Sequence, residues 1–197
     1  MKRRPTKNRS RWGFSSEVIG RAIKISMTWV GLLWVVEIVD LSSGFQLDGY
    51  GILPRKVDGL MGIFWSPLLH ADFAHLIANS GPLVLLLIML FSHRQYRPKS
   101  SLAFIWLVSG LGTWLIGRPA IHIGASSIVY GLAAFLMTAS FWMRSWRAFF
   151  LSILALLMFG GLFYGLFHIQ KGVSWEGHLS GALAGVWVAW LMHARHA

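Results

Sequence analysis

Residues 74–92 read AHLIANSGPLVLLLIMLFS, a run without a formal charge whose first turns hold His75 and Asn79. About 20 mostly apolar residues are needed for a helix to cross a hydrocarbon layer roughly 30 Å thick, so this run reads as a membrane span. Polar side chains inside a span are expensive and therefore functional suspects. His75 and Asn79 lie four positions apart, which puts them on one face of the helix.

Working outward, five further segments approach the same length: 22–41, 102–118, 125–143, 147–167 and 177–193. Composition agrees, with 55% hydrophobic and only 13% charged residues among 197, well outside the usual soluble range. The 11 Trp, 21 Gly and 13 Phe suit close-packed helices with aromatic anchors at the interface. The expected fold is an all-α membrane protein, a bundle of six transmembrane helices. Between the first two spans, residues 41–73 contain Pro54, Pro67 and several glycines. They are too mixed to be another span and predict a long structured outer loop with short interfacial helices. The run 25–39, with Trp29 and Trp34 among its bulky residues, lacks the short core and small-residue cleavage site of a signal peptide and reads as a retained span.

The chain has no cysteine, which excludes disulfides, thiolate metal sites and a cysteine nucleophile. Its 18 basic against 7 acidic residues invite a nucleic-acid reading. Their positions argue for membrane topology instead. With the amino terminus inside, the inner gaps hold the basic residues of positions 2–24 together with Arg94, Arg97, Lys99, Arg144, Arg147 and Arg195. The outer gaps hold only Arg55, Lys56, Arg118 and Lys171. This is the positive-inside pattern, with both termini cytoplasmic and no nucleic-acid partner. Residues 1–20 are expected to be a basic cytoplasmic segment, and residues 21–197 one six-helix domain.

In that orientation the second, fourth and sixth spans all enter from the outer face. Their first turns carry His75 and Asn79, then Ser126 and Tyr130 after Gly124, then Gly177 and His178. Three helices thus bring Ser, His and His/Asn to one depth, open to outside water. A serine hydroxyl is a weak nucleophile that needs a base within hydrogen-bond reach, and histidine suits that task near neutral pH. Ser126 and His178 fill those roles as a dyad. His75, Asn79 and the Ser126 amide are candidate donors to an oxyanion, and Tyr130 can pack on the His178 imidazole. Gly181 and Gly185, with Gly124 and Gly131, allow the fourth and sixth spans to approach closely.

Gly124-Ala125-Ser126-Ser127, with Tyr130 four residues on, resembles the Gly-x-Ser-x nucleophile motif of rhomboid intramembrane proteases. Gly177-His178-Leu179-Ser180-Gly181 resembles their Gly-His-x-x-Gly motif, and His75-Leu76-Ile77-Ala78-Asn79 their His-x-x-x-Asn element; His70 falls where a further loop histidine is common. The resemblance runs from about residue 50 to 188. It implies a six-helix peptidase domain, a Ser-His dyad without aspartate or cofactor, and cleavage of single-span membrane proteins near the outer interface. It also implies a multi-pass location in the bacterial inner (plasma) membrane, with lipid as the surroundings; the oligomeric state is left open. Ser127 departs from the family's usual glycine.

Other readings are a zinc hydrolase using His70, His75 and His178, a rhomboid-like pseudoprotease that binds membrane clients without cutting them, and a transporter. No HExxH helix supports the first, and transport sites usually lie at the midplane between repeats. Outside the cluster, His70, His122 and His168 are expected to be solvated near an interface. Glu37 and Asp40 are expected to be interfacial, Asp72 is a lesser candidate for orienting a histidine, and Trp175 and Glu176 are expected to anchor and cap the sixth span.

Overall fold

The computed structural model describes residues 16–44, 46–142, 146, 149–150, 153 and 174–194. Most of the expected fifth span, 147–167, lies outside the described residues, as do residues 1–15, Arg144, Arg147, His168, Lys171 and Arg195. The described elements are helices: α1 Ser16–Ser43, the short α2 Gly62–Trp65, α3 Phe73–Ser92, α4 Pro98–Ile116, α5 Ser126–Trp142 and α6 Trp175–Ala194. Pairing between strands is limited, among the described residues, to one bridge between Ile52 and His122.

Two of the helix starts follow directly from the sequence. Asp72 caps α3 by accepting a hydrogen bond from the His75 backbone N–H, which satisfies a donor the first turn leaves orphaned. Pro98 opens α4, where its missing N–H is harmless. Three described stretches are long and apolar enough to cross a membrane: Ser16–Ser43, Phe73–Ser92 and Arg94–Ile116. The six spans expected from sequence are not all met among the described residues. α5 is apolar, and 17 of its residues, Ser126–Trp142, are described; ahead of it the chain is held in a loop, the Gly124 N–H donating to the Ser66 carbonyl at 2.8 Å.

α1 packs on α3, and α6 packs against both α4 and α5. Leu76, Leu86, Ile105, Leu132, Phe135 and Leu136 fill the centre with no exposure. Large apolar side chains such as Val35, Leu115, Leu183 and Trp190 point outward, as suits a protein whose surroundings are lipid. Lipid is as apolar as leucine, so close packing rather than escape from water holds such helices together. Glycines supply that closeness. A Cβ on Gly181 would collide with the Ser127 carbonyl, and one on Gly185 with the Gly131 carbonyl.

The connection between α1 and α3 is structured, with one-turn helices at Leu47–Tyr50, Val57–Leu60 and Ser66–Leu68 flanking α2. It is pinned to α4 by side chains. Arg55 Nη1 donates to the carbonyls of Leu115 at 3.1 Å and Gly117 at 2.7 Å, and the Trp114 indole donates to the Lys56 carbonyl. The Trp106 indole reaches the Ile63 carbonyl.

Four sequence expectations need correcting. His70 and His122 are buried, at 1% and 5% exposure, rather than solvated: His70 packs edge-on to His75, and the His122 backbone pairs with Ile52 of the connection. Glu37 is likewise buried in α1, while Asp40 closes the turn after α1 by accepting from the Leu47 N–H. The start of α6 is capped not by Glu176 but by Ser174.

Candidate active site

Ser126 is the first residue of α5, and His178 lies in the first turn of α6. The closeness of the two helices at Gly181 and Ser127 brings these two turns together. Ser126 Oγ lies 3.0 Å from His178 Nε2, within the reach a general base needs. The Tyr130 ring, one turn into α5, stacks on the imidazole with centroids 4.1 Å apart and planes 20° from parallel, which fixes the ring plane. The Tyr130 hydroxyl is buried without a hydrogen-bond partner among the described residues.

α3 brings its polar face to the same place. Gly124 has a φ of +108°, a conformation that side chains resist, and a Cβ there would lie 2.6 Å from His75 Cε1 and 2.7 Å from His75 Nε2. The His75 ring therefore fills the space glycine leaves, two residues before Ser126. Asn79 Nδ2 lies 3.8 Å from the same point and donates to the His75 carbonyl. His70 stands edge-on to His75, centroids 5.1 Å apart. Burial drives the His70 pKa down to about 4, the His75 charge adding to the effect and the Leu68 backbone opposing it. Among the described residues, neither ring nitrogen of His70 has a hydrogen-bond partner that meets full geometry. Asp72 serves the α3 backbone rather than a histidine ring.

Ser127 is not among the described residues with positive φ, so its backbone makes no demand for glycine. Its carbonyl is the packing surface for Gly181. Among the described residues no three His, Asp or Glu side chains converge as a metal site, so His70, His75 and His178 do not assemble one.

Sequence reading missed the support of the α6 start. Ser174 Oγ accepts from the Gly177 N–H at 3.1 Å, and the Ser174 carbonyl accepts from the His178 N–H at 3.1 Å. A serine three residues before Gly177 is the usual N-cap signal and was readable. Glu176, 2% exposed, turns instead to Arg118, whose N–H lies 3.1 Å and whose Nε lies 3.5 Å from Oε1.

A half-buried serine beside a buried histidine, set in a bundle of apolar helices, belongs to an integral membrane protein. The Rhomboid domain signature matches residues 58–195, and the chain belongs to the rhomboid family. It is 40% identical to the uncharacterized protein Rv1337 of Mycobacterium tuberculosis, over 96% of this chain and 80% of that one. To the uncharacterized protein ML1171 of Mycobacterium leprae it is 35% identical, over 96% of this chain and 76% of that one. No solved structure matches it.

Proposed function

We propose that this protein is an intramembrane serine endopeptidase of the bacterial plasma membrane that cuts single-span membrane proteins near the outer face. The observation that carries the reading is the 3.0 Å approach of Ser126 Oγ to His178 Nε2 under the stacked Tyr130 ring. Membership of the rhomboid family, whose members are generally intramembrane serine proteases, supports it.

In this reading His178 takes the Ser126 proton as Oγ attacks the scissile carbonyl, then returns it to the leaving amine. The tetrahedral oxygen takes the negative charge, and His75 and Asn79, gathered around Gly124, supply donors to it. Water admitted from the outer side then attacks the acyl ester with His178 again as base. The orientation that places the site outside, with both termini cytoplasmic, rests on the distribution of basic residues.

The test is cleavage of a single-span reporter by the purified protein in liposomes. Ser126→Ala and His178→Ala each lower kcat by about 1,000-fold or more, the scale seen when one member of such a unit is removed. A fluorophosphonate labels the wild type and not Ser126→Ala. Undiminished cleavage by both variants overturns the dyad.

A further inference from the structure

We propose that His122, in the loop between α4 and α5, is a positioning residue that holds the start of α6 and so sets the aim of His178; this rests on the dyad reading above. His122 Nε2 lies 3.1 Å from the Arg118 carbonyl, and Nδ1 lies 2.6 Å from Ser174 Oγ. A carbonyl only accepts, so Nε2 carries the hydrogen and donates. In the neutral ring Nδ1 is then the acceptor, and the Ser174 hydroxyl donates to it while accepting from the Gly177 N–H. One directed chain results, running from the Gly177 amide through Ser174 and His122 to the Arg118 carbonyl. Every donor and acceptor along it is used.

The chain bears on His178 through its own backbone. The Ser174 carbonyl accepts from the His178 N–H, and Gly177, whose amide the Ser174 hydroxyl fixes, is the residue just before it. The far end is anchored as firmly. The His122 backbone exchanges both hydrogen bonds with Ile52, at 2.9 Å each way, and Arg118 grips Glu176 through a second arm. His122 is 5% exposed and lines the same recess as Ser126, Thr113, Ser174 and Gly177. A histidine that touches neither Ser126 nor His178 by any hydrogen bond seen here thus ties the α4–α5 loop to the helix that presents the base. Removing it frees the turn bearing His178 and leaves the packing of α5 on α6 at Gly181 in place.

The experiment pairs hydrogen exchange with kinetics on His122→Ala, His122→Asn and Ser174→Ala in the full-length protein. Exchange of the 174–178 amides rises about fivefold in His122→Ala and Ser174→Ala, the factor a lost cap hydroxyl is worth, with α3 and α4 unchanged. Reporter kcat falls by about 10- to 100-fold at unchanged KM, the penalty of a displaced catalytic group. His122→Asn, which can restore the acceptor facing Ser174, recovers most of both. The double variant is no worse than either single one, because the two act through one link. Unchanged exchange at 174–178 overturns the proposal whatever the activity. Raised exchange with full kcat overturns it as well. A wild type without Ser126-dependent cleavage sinks the protease reading alone, since exchange still decides whether His122 holds the α6 start.

Discussion

The Tyr130 ring lies nearly parallel to the His178 imidazole, and its hydroxyl is buried without a partner among the described residues. The ring and not the oxygen is therefore what Tyr130 contributes. Tyr130→Phe keeps the stack and deletes an unsatisfied polar atom, so kcat stays within about twofold and stability does not fall. Tyr130→Leu removes the aromatic face, worth about 0.5–1.5 kcal/mol, and kcat drops by about three- to tenfold. Steady-state kinetics on the reporter decide this; a tenfold loss in the Phe variant would give the hydroxyl a role and end the ring-only account. At this scale much of the site was legible. The four-residue spacings of His75 with Asn79 and of Ser126 with Tyr130 are properties of one helix and can be read from the chain. His122 was not legible, because its meaning depends on Ser174, 52 positions away, and on a connection that pairs with its backbone.

At the scale of elements, the dyad depends on how closely α5 and α6 cross. Gly181→Ala drives a methyl group into the Ser127 carbonyl, a backbone atom that cannot step aside. Overpacking of this kind costs about 1–3 kcal/mol, and here it also pries Ser126 from His178. Gly31 in α1 is the contrast, since a Cβ there meets nothing within 4 Å. The expected outcome is a lower thermal midpoint and a kcat loss of about tenfold or more for Gly181→Ala, set against unchanged kcat for Gly31→Ala, whose helix gains about 1 kcal/mol of propensity. Equal behaviour of the two variants in detergent melts and reporter assays would refute the crossing as the source of the geometry. The small-residue stripe Gly181–Gly185 announced the crossing in the sequence, whereas the partner atoms did not show there. The start of α5 was legible to within one residue, at 125 against Ser126, and the Gly124 N–H bond to Ser66 adds what holds the chain just ahead of it.

For the whole molecule, burial of titratable loop groups ties folding to pH. His70 titrates near 6.5 when unfolded and near 4 when folded, because burial and the neighbouring His75 disfavour its charge. The unfolded chain therefore binds more protons between these values, and stability falls as pH drops through the window, by at most about 3 kcal/mol from this residue. His93, after α3, is lowered by burial and acts in the same direction. Asp48 acts in the opposite one. Burial first, and then Asp40 and Asp72, raise its carboxyl above 3.8, so its share of stability is present in acid and is lost as pH rises through the folded pKa. The thermal midpoint in mild detergent falls between about pH 7 and pH 5 in the wild type, and His70→Leu flattens most of that fall. A wild-type slope that survives unchanged in His70→Leu would show that the buried histidine beside His75 is not what makes the folded molecule sensitive to acid.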